Sequence, residues 1–596
     1  MSATFVYSPL PQGYIRLLQA KHRCNGAVLY EFQSKLLDES LRFRAISYTW
    51  GSPALTQSIT CNGQKLLITR SVFELLSSAV ISSLCDELPI WIDAICINQR
   101  DDTEKAHQVR NMDTLYSLAE EVILWLGPPS SDSDLAMDTI CALSEKKGVI
   151  SRKNLSQFAR SGEVLEKCGL AGAGEEVRSA LGSLLYREWF RRLWIFQEVV
   201  LARKGQIVCG SKVLPWDDFS SATSALARLQ VHQFSIIYPD VVAGLRGLEA
   251  IQEMEAAAEA RKYEGRDLNP AFLLDLARRR AVTEPRDRVY GILGLASPRL
   301  RDKITVDYSQ RDLSALYRLY VECGKACLEE DTSLSVLYML SGTEKNPALP
   351  SWCPDFGSPP SRNFYMFPGW KAGIPTAPLE EELPSAWFEP EEDDLYAPGC
   401  RVDIVDQVVD STFCWSSLER DAEESSTEDA ASNLIWESEC LAISGLTPAE
   451  RDEAPPLSYL LTLCEGYLSS FENDPDIIRE AYQRIRSLWR NAGQSIPPED
   501  VKQRIRTATY AFQSRLMHNC LGRKFFTSNA GRIGVGPPET QTGDHVYILY
   551  GAGPLYLLRF TDEASRVLGN VYIHELMNLD ETPEEAKEEN EIVVIN

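Results

Sequence analysis

Between Phe43 and Gly210 the chain alternates short apolar runs with stretches whose apolar residues recur at helical spacing, the pattern of an α/β unit with a parallel sheet. Arg44 to Tyr48 (RAISY), Pro89 to Ile92 (PIWI) and Glu121 to Leu126 (EVILWL) read as buried strands adjacent in that sheet. A helix is expected over Ser71 to Leu84. Another begins after Asp101 and Asp102, with Glu104 three residues past Asp101 as in a capping box, and sets Val109, Met112, Tyr116 and Ala119 on one face. The segment Leu185 to Ala202 (LYREWFRRLWIFQEVVLA) is apolar almost all round and predicts one buried helix. A last β piece follows at Gln206 to Val213, so residues 40–218 are expected to form an α/β domain with its parallel sheet flanked by helices.

Beyond it the pattern changes. Residues 219–345 read as an all-α region, with amphipathic runs at Ala243 to Ala260 and Ser314 to Leu328. Eleven of the 32 prolines fall between 341 and 400, beside two acidic patches, which argues for an extended Pro-rich acidic crossover over 346–440. Glu419 to Asp429 is expected to be a solvated loop. Helices resume over 441–523. His545 to Tyr550, Leu555 to Phe560 and Val567 to Ile573 predict a small β unit within 524–577, and the acidic tail 578–596 is expected to fray.

Composition narrows the function classes. The chain has 596 residues and a formal charge of −25, which opposes binding to a phosphate backbone, so no nucleic-acid partner is expected. The first residues show no basic start followed by an apolar core, and no apolar run is long enough to span a bilayer, so a cytoplasmic location is expected. Fifteen scattered cysteines form no paired spacing that would hold zinc or a disulfide framework, so no metal is expected. Asn154 begins a sequon that is a chance match in such a chain. There is no GxSxG, no phosphate loop and no HExxH, and His22, His107, His232, His518, His545 and His574 stand in no nucleophile context.

Polar residues gather where the predicted strands end, the place at which open parallel sheets bind ligands. Ser47, Trp50 and Gly51 follow the first strand; Asp93, Asn98 and Gln99 follow the second. Ser47 and Trp50 could equally be a strand-end hydroxyl and a core lid. Asp93 could cap a turn, and Asn98 and Gln99 read as structural. Glu198 shares a helix face with Trp194 and Leu201 and has no basic neighbour three or four residues away. A carboxyl on an apolar face is a candidate functional group, or else the partner of an arginine such as Arg191 or Arg192.

These residues sit in blocks that carry a resemblance. AISYTWG (45–51), WIDAICINQ (91–99), HQVRNMDTLY (107–116), VILWLG (122–127) and RRLWIFQEVVLA (191–202) resemble the fungal heterokaryon-incompatibility (HET) domain. EPRDRVYGILGLA (284–296), VDYS (306–309), LPSWCPDF (349–356) and the closing RIGVGPPETQTGDHVYILYG and VYIHELM resemble the rest of the long HET-domain proteins. HET domains are more remotely similar to Toll/interleukin-1 receptor (TIR) domains, and Trp194-x-x-x-Glu198 has the spacing of the TIR catalytic helix. That similarity implies a TIR-like fold in which Glu198 cleaves NAD at its nicotinamide–ribose bond, with Ser47, Trp50, Gly51, Asp93 and Trp194 holding the nucleotide; NAD is then a substrate and no cofactor is implied. The sequence departs from the TIR pattern at Ile195, where a cysteine is common, and in an insert at about 129–184. The HET resemblance also implies a cell-death effector of non-self recognition with an incompatible allelic or non-allelic protein partner. Self-association through the HET domain, without catalysis, is the alternative reading.

Overall fold

A computed structural model describes residues 5–24, 27–145, 175–230, 239–264, 268–330, 334–340, 346–358, 385–389, 392–415, 427–447, 450–451, 455–464, 474–492, 503–561, 565–577 and 590–596. Asn154, His232, most of the insert at 129–184 and most of the loop at 419–429 lie outside them. Two compact units emerge, one of residues 1–268 with 280–315, the other of residues 269–279 with 316–596.

The first unit is built on a nine-stranded mixed sheet with flanking helices. In chain order its elements are β1 (Tyr14–Cys24), β2 (Ala27–Leu36), β3 (Arg44–Tyr48), β4 (Gln57–Cys61), β5 (Gln64–Ile68), α1 (Arg70–Ser77), α2 (Ala79–Glu87), β6 (Ile90–Trp91), α3 (Asp93–Cys96), α4 (Asp102–Arg110), α5 (Met112–Leu118), β7 (Glu121–Gly127), α6 (Ser133–Ser144), α7 (Glu175–Leu185), α8 (Leu193–Val200), β8 (Gly205–Cys209) and β9 (Lys212–Pro215). The sheet order is β5-β4-β2-β1-β6-β3-β7-β8-β9. As expected from their apolar runs, β6, β3 and β7 are adjacent and parallel, with Ala45 opposite both Trp91 and Val122. β8 continues the parallel set beyond β7.

The sheet is not parallel throughout, which corrects the simpler expectation. The hairpin β1–β2 precedes residue 40 and adds to β6 in the antiparallel sense through Leu18 and Ile90, while β9 turns back on β8. One face of β1 is buried through Ile15 and Leu17. Its Arg16, also buried, forms an ion pair with Glu104 at 2.9 Å and donates to the Cys96 carbonyl. Glu104 thus serves β1 and accepts from the Asn98 amide instead of closing a capping box; only the Asp101 half of that box is present, accepting from Thr103 and Glu104.

Three helices expected to be continuous are broken. Ser78 separates α1 from α2, and Asn111 separates α4 from α5. The run Leu185 to Ala202 is interrupted because Arg192 is extended (φ −79°, ψ 142°) and its flanking peptides pair with Ala281: Leu193 N–H donates to the Ala281 carbonyl at 3.1 Å, and Ala281 N–H to the Arg191 carbonyl at 2.7 Å. A tertiary strand-like bridge, invisible to local periodicity, therefore sets where α8 begins. Beyond β9 the unit is helical, with long helices at Trp216–Gln230 and Pro239–Glu259.

The second unit combines helices with a sheet. Helices Thr427–Ile443, Leu457–Leu463, Pro475–Arg490 and Gln503–Cys520 enclose a core that includes Trp436, Tyr459, Tyr482 and Phe512. The expected C-terminal strands are present at His545–Leu549, Leu555–Phe560 and Ser565–Val571. Two features differ from the sequence reading. Leu395–Val408, inside the Pro-rich stretch, is a 14-residue strand that pairs on one side with His545–Leu549 and on the other with Asn590–Ile595 and Lys524–Ser528. The end of the acidic tail is likewise a strand, because the apolar residues of NEIVVI, with Ile595 fully buried, find a partner in Leu395–Cys400. Ser565 also pairs with Ile595, so the sheet closes on itself.

Candidate functional site

At the carboxyl ends of β3 and β6 the structure gathers Ser47, Trp50, Asp93 and Glu198. Ser47, the penultimate residue of β3, is fully buried and its Oγ accepts from the Trp189 indole N–H at 3.1 Å. Trp50 lies in the turn beyond β3, where its carbonyl accepts from the Ser71 hydroxyl and its indole N–H donates to Asp93 Oδ2 at 2.7 Å. Gly51 follows with φ +63°, the left-handed region that glycine adopts without a Cβ penalty, and it is exposed. Asp93 opens α3 just after β6. Its Oδ1 accepts from the Ala94 amide at 2.7 Å, and its main-chain carbonyl accepts from Gln99 Nε2 at 2.9 Å, which gives Gln99 the structural role expected of it.

Glu198 reaches this cluster from α8 and is only 4% exposed. Its Oε2 has no hydrogen-bond partner among the described residues, nor has the hydroxyl of Tyr48, which is buried beside Asp93. Burial pushes the Glu198 carboxyl up to about 8; the charge of Asp93 acts in the same direction, while the Ser47 and Tyr116 hydroxyls and the Arg192 guanidinium oppose it. Burial also raises Asp93, against the Trp50 indole and the same Arg192. Burial and the neighbouring charge of Asp93 together disfavour ionisation of Glu198, which marks it as a candidate functional group. Arg191, the other arginine considered as a partner, lies with its guanidinium 4.7 Å from the centre of the Tyr186 ring.

Sequence reasoning named Ser47, Trp50, Asp93 and Glu198 and offered Arg192 as a partner of Glu198; it missed Tyr48 and Trp189 and gave Tyr116 only a place on a helix face, although all three lie in or beside the blocks it singled out. Each is apolar-run or helix-face material by local pattern, and only the packing of α5 and of the turn before α8 onto β3 turns their polar atoms inward. Trp194 does not join the cluster as expected. It is half-buried, and its indole N–H donates to Asp287 Oδ2 at 3.0 Å.

One comparison with known proteins falls on this region. The family model described as "Heterokaryon incompatibility protein (HET)" matches residues 43–198, beginning just before β3 and ending on Glu198. Residues 43–198 match a HET domain. The "Heterokaryon incompatibility protein 6, OR allele" of Neurospora crassa is 26% identical over 362 residues, which are 52% of this chain and 53% of that protein. The chain thus spans about half the length of the curated relative it matches. No solved structure matches the chain. Among the described residues no helix is long and apolar enough to cross a membrane.

Proposed function

We propose that the HET domain is the nucleotide-cleaving centre of a cell-death effector in non-self recognition, with Glu198 as the group that promotes breakage of the nicotinamide–ribose bond of NAD. The observation that carries this reading is the buried Glu198 carboxyl, which has an oxygen without a partner and faces Ser47, Tyr116, Asp93 and Arg192. The family role comes from the HET match and the Neurospora relative; the NAD chemistry comes from the TIR resemblance of Trp194-x-x-x-Glu198.

At rest Glu198 is largely protonated, because its acidity is weakened to a value of about 8. The nicotinamide ring of NAD is cationic, and a cation entering the cluster favours the ionised carboxylate. Glu198 then gives up its proton to water and confronts the ribose as the C–N bond breaks. Nicotinamide leaves with the bonding electron pair, the sugar becomes oxocarbenium-like, and the carboxylate stabilises that charge. Water adds its oxygen to the sugar carbon and releases a proton, leaving ADP-ribose. We assign Trp50 and Asp93, which are half-buried while Ser47 and Glu198 are buried, to meet and hold the nucleotide.

The test compares the full chain with Glu198→Gln for nicotinamide and ADP-ribose release from NAD, and for death of a fungal host expressing each. Cleavage and killing by the wild type, both lost in the variant, are expected. Killing that survives the substitution would instead leave the HET domain as an assembly module.

A further inference from the structure

The blocks EPRDRVYGILGLA and VDYS lie beyond the residues matched by the HET model, yet they converge on the helix that carries Glu198. Asp287 uses both carboxylate oxygens: Oδ2 accepts from the Trp194 indole at 3.0 Å, and Oδ1 from the Tyr308 hydroxyl at 2.8 Å. Tyr308 is itself fixed on several sides. Lys105 Nζ of α4 stands 3.8 Å from the centre of its ring, and the Tyr290 ring meets it edge-on at 5.3 Å. Tyr290 also exchanges hydrogen bonds with the backbone of Asp307, next to Tyr308. Arg286 joins Glu284 at 2.9 Å and donates to the Asp307 and Gln310 carbonyls.

The two glycines of this block are where it comes closest to α8. A Cβ on Gly291 would lie 2.8 Å from the Asp287 carbonyl oxygen and 2.9 Å from Leu193 Cδ2; one on Gly294 would lie 2.8 Å from the Gln197 side chain. Leu193 and Gln197 form one i, i+4 row on α8, and Trp194 and Glu198 form the adjacent one. The segment therefore grips α8 along the first row by contact and along the second through the Trp194 indole.

We infer that Asp287 and Tyr308 are positioning residues of the HET site, acting through Trp194 to hold α8 in the register that presents Glu198, so that the working unit extends past the matched domain to Ser309. The inference rests on Glu198 being the working group proposed above. Neither Asp287 nor Tyr308 needs to touch the nucleotide. What they supply is placement, and misplacing a reacting group by about 1 Å costs roughly a hundredfold in rate.

The experiment labels the full chain with 5-fluorotryptophan and assigns the Trp194 fluorine resonance with Trp194→Phe. Without ligand, Asp287→Ala and Tyr308→Phe are expected to shift or broaden that resonance. NAD cleavage, or host killing, should fall about tenfold to a hundredfold in Asp287→Ala. The double variant Trp194→Phe/Asp287→Ala should be no weaker than Trp194→Phe alone, since Asp287 acts through the indole. An unmoved Trp194 resonance in both single variants overturns the inference, as does a moved resonance with undiminished cleavage or killing, or losses that multiply in the double variant. Tyr308→Phe keeps charge and ring and serves if Asp287→Ala does not fold. A wild type that leaves NAD intact sinks the NAD reading alone, because the resonance and the killing assay still judge Asp287 and Tyr308.

Discussion

Replacing Glu198 by Gln separates a poised carboxyl from a structural ion pair, because the two make opposite forecasts for stability. The ordinary glutamate value of 4.5 is raised to about 8. At neutral pH the folded chain therefore keeps a proton that the unfolded chain has released. Over the roughly 2.5 pH units from 4.5 to 7, at about 1.4 kcal/mol each, holding that proton costs ~3.5 kcal/mol of stability. For a group whose folded value is raised, the contribution is fully present below pH 4.5, declines as pH climbs and is lost by about pH 8. Glutamine does not titrate, so in Glu198→Gln this decline disappears while the packing volume is kept. The assay is a set of melting curves for both forms from about pH 5 to about pH 8.5 at constant ionic strength, where the linkage predicts a gap that widens in favour of the variant as pH rises. The same preparations are assayed for NAD cleavage. Two results would refute the reasoning. One is a wild type whose melting temperature tracks the variant at every pH. The other is a variant that is less stable than the wild type at every pH, as expected when a cation such as the half-buried Arg192 loses its partner.

Three further substitutions test the scaffold. Gly291→Ala places a methyl 2.8 Å from the Asp287 carbonyl oxygen and 2.9 Å from Leu193, so overpacking by about 1–3 kcal/mol is expected in denaturant melts, together with weakened activity; unchanged stability would show that the block does not press on α8. Arg16→Met leaves Glu104 without its partner in a pair whose side chains are 3% and 9% exposed, and urea titration should show a loss of about 3–5 kcal/mol; a neutral result would mean that β1 is held by its apolar face alone. Ile595→Ala empties a fully buried position in the last strand and should cost about 2–5 kcal/mol; hydrogen exchange in Leu395–Cys400 should rise with it, whereas unaltered protection there would deny that the tail closes the sheet.

The sequence by itself determined the parts whose signal is local. The apolar runs at 44–48 and 121–126 are long enough to be buried strands in any context, and a two-sided apolar strand belongs inside a parallel sheet. From the strand ends followed Ser47, Trp50 and Asp93, and from the unpaired carboxyl on an apolar helix face followed Glu198. Tertiary structure alone decided what depends on a distant partner. Residues 14–36 precede the expected domain and enter its sheet only because β1 meets β6, and Pro398 gave no hint that Leu395–Val408 would serve a sheet completed by the last residues of the chain. Arg192 breaks a helix that its own neighbours favour, since a bridge to Ala281 some 90 positions away satisfies the backbone better there. The same holds for the site: Trp194 carries the spacing of a ligand-packing residue, but the hydrogen bond from its indole goes to Asp287, which lies in a block whose periodicity says nothing of α8. Periodicity reports which face of an element is buried; it does not report what lies against that face, and the acidity of Glu198 is set by what does.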